Sequence, residues 1–370
     1  MSSEKIKKNV AISILKDVEI DEVISFYNRI YNETRTREKF VWEFHNAPSG
    51  KAIYVVAKDT DTNKIVGSQC AIPIELITQD GTVVLTAKSE DTLVDPEYRG
   101  LNIFENMYQL LFEKCRENGI KYLWGFTSAK KPFLKLGFEI PYDQSQSVMA
   151  ININAAYSYL SQLNPKNNFS SRFKIGAFCF LSKMVSIKKS FSSQQSIDKD
   201  FLYKELGKKI IKEAELPVLM SARNGFSIKL DLPFMTWRIE NNPYHDKIFN
   251  VYFLSQNTIV ANLIFNHHKD GVWFLVNDMY AETLTLKQKQ AMLRKAVQGL
   301  MHQEKSAIKL IRTWDFKHNA LGNEELVMRK KVGFSHIDRG ISFVWKSLDE
   351  HDTLKTADFN LSRIATQGKI

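Results

Sequence analysis

Apolar residues recur at helical spacing in a segment that starts near residue 103 and stops at Asn118-Gly119. The positions that set this spacing are Phe104, Met107, Leu110, Leu111 and Cys115. Because apolar side chains three and four residues apart share one face of a helix, the segment predicts an amphipathic helix. β-prone runs at 85–92 and 120–127 flank it, and a short helix is predicted at 129–136. The central pattern is therefore strand, turn, helix, strand, helix.

The residues before this pattern predict further strands and two helices. Strands are predicted at 9–15, 52–57, 65–76 and 82–94, and helices at 20–30 and 35–45. Asp80-Gly81 is a hairpin signal between the last two of these strands. A strand at 145–153 is expected to close the first domain. The predicted fold class is mixed α/β, of the α+β type, with a twisted sheet flanked by helices.

A basic glycine turn, Tyr98-Arg99-Gly100, stands between the strand at 82–94 and the central helix. A helix N-terminus presents backbone N–H groups that have no intrahelical partner, together with the positive end of the helix dipole. A glycine before the helix lets a phosphate chain come close to the backbone. The order of strand, turn and helix therefore predicts an anion site where the helix begins.

The stretch from Val94 to Ile103 resembles motif A of the GNAT superfamily of acyl-CoA-dependent N-acyltransferases. The matching residues are Val94, Pro96, Tyr98, Arg99, Gly100 and Ile103, whereas Asn102 and Phe104 stand where the family usually has Gly and Gly or Ala. Gly137-Phe138 resembles the signature that follows the family's motif B. The resemblance implies acetyl-CoA as co-substrate, bound through Leu93, Val94, Arg99, Gly100, Leu101, Asn102, Ile103 and Ser128.

The same resemblance suggests catalytic roles for residues around the turn. Glu90 and Asp91 are the candidate bases, and if strand residues alternate strictly only one of them faces the cleft. Glu90 is preferred because it shares the parity of Val94, although a solvated carboxylate at the strand edge explains either residue equally well. A backbone N–H of Leu93 or Val94 is the expected donor to the thioester oxyanion. The usual tyrosine acid is replaced by Phe133, which cannot donate a proton.

Composition limits the class of protein. At 370 residues with 44% hydrophobic and 25% charged side chains, the chain suits two globular domains. No apolar run is long enough for membrane insertion and no signal peptide is evident, so a cytoplasmic protein is expected. The three cysteines are widely spaced and are read as core residues. The pair His267-His268 fits a turn better than a metal site, and no metal is predicted.

The net charge of +10 favours an anionic partner in general terms, or simply a basic solvated surface. Coenzyme A, a nucleotide-sugar, nucleic acid or an anionic membrane face would each satisfy the charge. The resemblance to an acyltransferase makes a small-molecule amine the expected partner, with no nucleic acid. An oligomer is possible.

The second half of the chain repeats landmarks of the first. Segment 40–48 resembles 235–243 in the spacing of Trp, Asn and Pro, 120–123 resembles 308–311, and Gly137-Phe138 resembles Gly333-Phe334. The second copy has no Arg-Gly turn, and Asp278 and Glu282 there are expected to repel a pyrophosphate. The predicted organisation is two GNAT-like domains in tandem, at 1–153 and at 216–348. A linker or helical insertion at 154–215 and a polar tail at 349–370 complete it.

These observations predict an N-acetyltransferase that moves an acetyl group from acetyl-CoA directly to a primary amine. An amino sugar or a nucleotide-sugar is the first candidate acceptor. Two alternatives remain open. One is an aminoacyl transferase of the Fem type, which is also built from two GNAT-like domains. The other is a catalytically silent protein that binds an acyl-CoA or a protein partner.

Overall fold

The computed structural model describes residues 8–78, 80–162, 168–170, 172–180, 201–210, 226–244, 247–304, 307–315, 320–349 and 359–365. The chain forms two compact units. Unit 1 comprises Met1–Tyr142 and Ser342–Thr356, and unit 2 comprises Asp143–Ile341 and Ala357–Ile370. Both units combine a mixed sheet with helices, which confirms the predicted fold class. In the described part of the chain, no helix has the length and apolar character needed to cross a membrane.

Unit 1 follows the predicted order of elements, with bounds within about two residues of those expected except for β6, which was predicted at 145–153 and begins at Glu139. Its strands are β1 (Val10–Ile14), β2 (Ile53–Asp59), β3 (Ile65–Ile77), β4 (Val83–Val94), β5 (Tyr122–Thr127) and the first residues of β6 (Glu139–Ala150). Its helices are α1 (Ile20–Tyr31), α2 (Arg37–Phe44), α3 (Ile103–Glu117) and α4 (Lys130–Lys135).

The sheet of unit 1 changes direction at β4. Strands β1 to β4 are antiparallel neighbours in chain order. Strand β5 is parallel to β4, because α3 carries the chain back across the sheet before β5 begins. The parallel ladder is short: residues 86–88 pair with residues 122–124. The C-terminal ends of β4 and β5 therefore extend beyond their shared hydrogen bonds.

Helix α3 holds this arrangement together. Met107, Leu111 and Cys115, at the spacing that predicted the helix, are fully buried against Val55 and Leu123 of the sheet. Burying a leucine or methionine side chain contributes roughly 1.5–3 kcal/mol. The helix thus fixes the turn that precedes it relative to β4 and β5.

Unit 2 repeats the topology of unit 1. Its strands are the rest of β6, β7 (Phe201–Glu205), β8 (Phe226–Ile228), β9 (Ile248–Ser255), β10 (Thr258–Lys269), β11 (Val272–Tyr280), β12 (Leu310–Asp315), the start of β13 (Ser335–Ser347) and β14 (Phe359–Asn360). Its helices are α5 (Ile153–Gln162), α6 (Leu232–Met235), α7 (Leu286–Glu304) and α8 (Ala320–Val332), with further helical residues at 172–180. A π-helical turn covers Thr236–Glu240.

The pairing of these strands shows that the second copy is real. Strands β9, β10 and β11 are antiparallel, and β12 is parallel to β11 with α7 between them. They correspond to β2, β3, β4 and β5, with α7 in the place of α3. Gly137 ends α4 with φ = 76°, and Gly333 ends α8 with φ = 123°. The predicted tandem of two GNAT-like domains is confirmed.

The two copies exchange their last strands. Residues 145–150 of β6, which follow α4, pair with β12 inside unit 2. Residues 342–347 of β13, which follow α8, pair with β5 inside unit 1. The prediction that a strand at 145–153 closes the first domain is therefore wrong, because residues 342–347 occupy that place. The domain bounds of 1–153 and 216–348, with linker 154–215 and tail 349–370, stay predictions.

Candidate functional site

The turn between β4 and α3 has an open backbone. Asp95 caps a 3₁₀ turn at Pro96–Tyr98 by accepting from the backbone N–H of Glu97. Gly100 (φ = 85°) and Asn102 (φ = 56°) then adopt left-handed conformations before α3 begins at Ile103. A Cβ added at Gly100 would meet no atom within 4 Å. Because the first N–H groups of α3 lack intrahelical partners, the turn presents donors to an open space.

Two contacts hold this turn in place. Arg29 of α1 donates to Asp95 over 2.8 Å. The hydroxyl of Tyr98 donates to Asp59, at the end of β2, over 2.6 Å. The hydrogen bond from Tyr98, supported by bonds from Thr62 and Asp61, lowers the pKa of Asp59 to about 2. The side chains on both sides of Pro96 are therefore anchored, whereas Arg99 is exposed and can reach a ligand.

Strand β4 carries a β-bulge just before the turn. Leu93 pairs with Ser68 and Glu90 pairs with Cys70, so two residues of β4 oppose Gln69 alone. Asp91 lies in this bulge with φ = 51°. The bulge breaks the strict alternation assumed from the sequence. Both candidate carboxylates, Glu90 and Asp91, lie on the side of the sheet that faces α1. There, burial raises the pKa of Tyr31 most, and the negative charges of Asp91 and Glu90 raise it further.

Asp91 is enclosed by an ion pair and a phenol. Arg35 bonds to both carboxylate oxygens of Asp91, and the Tyr54 hydroxyl donates to Asp91 Oδ2 over 2.8 Å. Arg35 also lies 3.8 Å from Glu43 and stacks over the Tyr27 ring at 3.5 Å. Asp91, Arg35, Tyr54 and Glu43 are all buried. This arrangement stabilises the bulge and leaves Asp91 poorly placed to accept a proton from a substrate.

Glu90 remains closer to the surface. Its side chain is 11% exposed and pairs with Lys88, which is 3% exposed, two residues earlier on the same face of β4. Glu90 is therefore the more accessible of the two predicted bases, beside a buried positive charge. The role of Glu90 or Asp91 as the general base remains a prediction.

The opposite face of the bulge carries a network of neutral side chains. Gln69 Nε2 donates to Ser89 Oγ over 2.9 Å, and Ser89 Oγ lies 2.7 Å from the Tyr108 hydroxyl. Thr92 lies 3.4 Å from the same hydroxyl and donates to the Gln69 carbonyl. Burial raises the pKa of Tyr108 above its ordinary range, so the phenol stays protonated. The bulge is thus held from both sides of the sheet.

The backbone of β4 distinguishes between the two predicted oxyanion donors. The N–H of Asp95 donates to Val66 of β3 over 2.8 Å. Since consecutive strand residues point their N–H groups to opposite sides, Val94 directs its N–H away from β3, toward the side of β5. Leu93 directs its N–H toward β3. Val94 is therefore the better candidate.

The two departures from the family motif are in contact with each other. The Phe133 ring is 6% exposed and meets the Phe104 ring edge to face, with centroids 5.6 Å apart. Both rings also contact Tyr108. Ser128 is exposed just before α4, and the nearby N–H of Ala129 donates to Thr127. An apolar aromatic cluster therefore occupies the position where the family usually has a phenol.

Sequence reasoning missed the partners that enclose the bulge. Arg35 lies in the loop between α1 and α2, and Tyr54, Gln69 and Tyr108 lie in β2, β3 and α3, so no local motif links them. The available signal was polar residues at buried strand positions, since β3 and β4 carry Gln69, Ser89 and Thr92 within otherwise apolar runs.

The corresponding region of unit 2 is built differently. Asp278 of β11 accepts from Arg329 over 2.8 Å, and Arg329 also bonds to Asp315 over 3.0 Å. Arg329 stands four residues before Gly333, as Phe133 stands four residues before Gly137. The positive charge of Arg329 therefore compensates the negative charge of Asp278. For this reason, the expectation that Asp278 repels a pyrophosphate is not supported. Glu282 is exposed before α7.

Metal ligands are not gathered in the described residues, which contain no group of three or more His, Cys, Asp or Glu side chains suited to a metal. His267 and His268 lie in β10, where they contact Trp273 and Phe274 respectively. Trp273 belongs to the core that packs against α7. Since Trp273 and Phe274 are adjacent in β11, the two histidines point to opposite faces of the sheet.

Comparison with known families identifies one domain. The sequence model of the acetyltransferase (GNAT) domain family matches residues 11–140. This match contains β1 to β5, the bulge and the turn before α3. No curated protein matches the chain in sequence.

Solved structures resemble the chain over most of its length. A probable N-acyltransferase from Enterococcus faecalis V583 covers 92% of this chain and 73% of its own, with a TM-score of 0.57 and 9% identity. A tandem GNAT protein from the clavulanic acid biosynthesis pathway covers 93% of this chain and 100% of its own, with a TM-score of 0.56 and 11% identity. Saccharomyces cerevisiae N-myristoyltransferase with bound myristoyl-CoA covers 91% and 82%, with a TM-score of 0.58 and 12% identity. These likenesses concern the fold.

Proposed function

We propose that the chain, whose residues 11–140 match the acetyltransferase (GNAT) domain family, transfers an acyl group from an acyl-CoA to a primary amine of a small molecule. Acetyl-CoA is the proposed donor. The observation that carries the proposal is the turn at 99–103, where Gly100 and Asn102 adopt left-handed backbone and open the N-terminus of α3 to an anion. An acyl-CoA donor also places the proposed reaction in the cytoplasm.

Each residue near the turn has a proposed role in binding. Arg99 would pair with the pyrophosphate, and the backbone N–H groups of Gly100 to Ile103 would bond to its oxygens. Leu101, exposed on the turn, and Ser128, before α4, would border the donor. Leu93 and Val94 would border the pantetheine chain. The short parallel ladder between β4 and β5 supports this, since the strands extend beyond it on both sides of that chain.

The proposed chemistry is direct transfer without a covalent enzyme intermediate. Glu90 would take a proton from the attacking amine, and the N–H of Val94 would stabilise the negative charge that develops on the thioester oxygen. The carbonyl carbon gains a bond to nitrogen and loses its bond to sulfur, and the thiolate leaves. Phe133 cannot protonate that thiolate, so we propose that water does so.

The acceptor amine and the length of the acyl chain can be identified by comparing candidate substrates. An amino sugar or a nucleotide-sugar is the acceptor to test first. Of the two, the anionic nucleotide-sugar suits the net charge of +10. The structural likeness to a protein with bound myristoyl-CoA makes longer acyl donors a necessary arm of the test. An aminoacyl donor, as in Fem-type transferases, is the second candidate function. The Pro96-to-Gly100 turn favours coenzyme A over it.

Calorimetric titration with acetyl-CoA and with coenzyme A tests the binding step. Arg99→Ala is expected to weaken both affinities by about 1.5–3 kcal/mol, through loss of a charge-assisted phosphate contact. The matched control is Arg37→Ala, which removes an exposed arginine that pairs with Asp21 in α1 over 2.9 Å. Equal affinity in wild type and Arg99→Ala would reject the assigned turn.

Turnover then separates the candidate functions. Release of free thiol from acetyl-CoA with an amine library, amino sugars first, supports the acetyltransferase, and a preference for longer acyl-CoA corrects the donor. Saturable binding without turnover on any amine favours a silent acyl-CoA-binding protein. Absence of acyl-CoA binding moves the search to aminoacyl-tRNA donors and protein partners.

A further inference from the structure

Three phenylalanine side chains are exposed on one helix of unit 2. The helix is formed by residues 169–170 and 172–180 and is referred to below as the aromatic helix. Its exposed rings are Phe169, Phe173 and Phe180, which are 86%, 69% and 56% exposed. Large apolar side chains scattered singly over a surface are ordinary, but several of them together mark an interaction site. The aromatic helix is therefore a candidate docking surface.

The three rings lie on the same side of the aromatic helix. Phe173 follows Phe169 by four residues and precedes Phe180 by seven. In an α-helix, side chains at these intervals share one face. The backbone N–H of Arg172 donates to the carbonyl oxygen of Asn168 over 3.1 Å, so the helical hydrogen bonding of residues 172–180 continues to the turn that carries Phe169. The rings thus form one apolar stripe along the helix.

Other residues of the aromatic helix attach it to unit 2. Cys179 is fully buried, and Ile175 and Phe178 are half-buried. A Cβ added at Gly176 would lie 3.6 Å from the ring of Tyr157 in α5, so the two helices are in close contact. The phenylalanine stripe is therefore exposed although the helix that carries it packs against its own unit.

The sequence around the aromatic helix is basic. Residues 144–197 include no Asp or Glu, although these acids make up 41 of the 370 residues of the chain. The same stretch contains six basic residues, which are Lys166, Arg172, Lys174, Lys183, Lys188 and Lys189. The positive charge of this stretch has no compensating negative charge within it. The charge therefore favours a partner with a negatively charged surface.

An anionic lipid bilayer combines an apolar layer with a negatively charged surface. Phenylalanine rings on one face of a helix fit the boundary between headgroups and acyl chains, and lysines nearby are attracted to anionic headgroups. Single-stranded nucleic acid also takes aromatic rings and positive charge. Five of the six basic residues are lysines, however, whose point charges suit a diffuse anionic surface, whereas arginine is the usual choice for nucleic-acid phosphates.

We propose that the aromatic helix docks the chain on the surface of an anionic lipid bilayer. Phe169, Phe173 and Phe180 enter the headgroup region, and the lysines of residues 144–197 are attracted to the headgroup phosphates. The helix lies on the bilayer and does not cross it. The proposal concerns a surface of unit 2 and does not depend on acyl transfer or on the turn at 99–103.

Sedimentation of the full chain with lipid vesicles tests the proposal. The vesicles contain phosphatidylcholine alone or with about one third of phosphatidylglycerol, each at low and at high sodium chloride. Wild type is expected to sediment with the anionic vesicles at low salt, and less at high salt or without phosphatidylglycerol. Each of Phe169→Ser, Phe173→Ser and Phe180→Ser should weaken this binding about tenfold, because a serine gains little from leaving water.

Two controls separate the apolar and the charged contributions. Val18→Ser, in unit 1, removes an apolar side chain that is 86% exposed, as Phe169 is, and is expected to change nothing. Lys174→Gln is expected to weaken binding to the anionic vesicles about fivefold and to reduce its dependence on salt. Lys287→Gln, at an exposed position in α7, removes the same charge elsewhere and should leave vesicle binding unchanged.

A labelled variant shows which surface touches the lipid without relying on the serine variants. All three native cysteines are buried, so a fluorophore that responds to polarity can be attached selectively to Phe173→Cys. Its emission is expected to shift to shorter wavelength when anionic vesicles are added, because the label leaves water. The same label on Val18→Cys should show no shift.

Failure of wild type to sediment with anionic vesicles, or full binding by the variant with all three serines, would overturn the proposal. Sedimentation velocity and titration of a fluorescent single-stranded oligonucleotide then identify the other occupants. A dimer that the triple-serine variant dissociates, without vesicle binding, assigns the stripe to a second copy of the chain. Oligonucleotide binding that this variant loses, again without vesicle binding, assigns it to nucleic acid.

Discussion

The ring of Phe104 meets the ring of Phe133 edge to face, with centroids 5.6 Å apart and planes inclined by 72°. Phe104 stands at the start of α3 and Phe133 in α4, so the contact joins the helix that follows the turn at 99–103 to the next helix in the chain. The large residue at 104 fills space beside a ring that carries no hydroxyl. The two departures from the family motif are therefore in direct contact, and we expect their contributions to stability to be coupled.

A double-mutant cycle measures this dependence. Phe104→Leu and Phe133→Leu keep apolar volume, and each is expected to cost less than about 1.5 kcal/mol of unfolding free energy. The aromatic pair should appear as a coupling of about 0.5–1.5 kcal/mol between them in urea denaturation. Phe104→Leu combined with Phe40→Leu, a ring that packs on Phe44 and Tyr54, is the control and should be additive. If the effects of Phe104→Leu and Phe133→Leu on the unfolding free energy were additive, the ring contact would not contribute to stability.

Asp91 and Glu90 are adjacent in sequence but are expected to respond differently to loss of charge. Asp91→Asn leaves the buried Arg35 without its carboxylate and should lower the unfolding free energy by on the order of 3 kcal/mol. Asparagine keeps the side-chain shape and tolerates the left-handed backbone at this position, so the effect reports the charge. Urea denaturation of wild type and variant gives the difference.

Glu90→Gln tests the proposed base. The variant is expected to bind acetyl-CoA with wild-type affinity and to lose about 10²–10⁴ in kcat, the contribution of a general base. Its unfolding free energy should change less than that of Asp91→Asn, since Glu90 is partly exposed and glutamine still accepts from Lys88. Wild-type kcat in Glu90→Gln would remove this residue from the mechanism.

The sequence was sufficient for the parts of the site that are continuous in the chain. The helical spacing of Met107, Leu111 and Cys115 predicted α3, and the glycine turn before it predicted an open helix N-terminus. The bulge at Asp91 was not predictable, because it depends on Arg35 and Tyr54 on one face and on Tyr108 on the other. The exchange of strands between the two copies was also missed, since pairing of 342–347 with β5 joins residues more than 200 positions apart.

Asn102 occupies a glycine position of the motif by adopting φ = 56°. Its side chain makes no capping hydrogen bond, so Asn102→Gly should be as stable as wild type and bind coenzyme A at least as tightly. Asn102→Ala is expected to lose roughly 1–2 kcal/mol of unfolding free energy, because alanine resists left-handed backbone, and to bind coenzyme A more weakly. Thermal unfolding and calorimetry measure the two effects.

Asn32 offers a matched control for this substitution. It ends α1 with φ = 52°, close to the conformation of Asn102, but lies outside the turn. Asn32→Ala should therefore lose stability as Asn102→Ala does, with no change in the affinity for coenzyme A. A loss of affinity in both alanine variants would show that general destabilisation, rather than the shape of the turn, controls binding.

The bond from Tyr98 to Asp59 makes the anchoring of the turn sensitive to acid. The pKa of Asp59 is about 2 in the folded protein, against about 3.9 for a free aspartate. A lowered folded pKa stabilises the protein fully above the unfolded pKa, and this contribution is lost as the pH falls from about 4 to about 2. Tyr98→Phe removes the largest cause of the shift while keeping the ring under Lys8, so the pKa of Asp59 should rise.

Carboxyl chemical shifts of Asp59, followed by NMR during acid titration, give this pKa directly. Wild type should melt at a higher temperature than Tyr98→Phe at pH 4, and this difference in melting temperature should shrink at pH 2, because protonation of Asp59 removes the advantage of wild type. Tyr31→Phe, at a side chain 52% exposed, is the control and should leave the pKa of Asp59 unchanged. An unchanged pKa in Tyr98→Phe would mean that the bonds from Thr62 and Asp61 suffice to hold the carboxylate, and that Tyr98 is not its anchor.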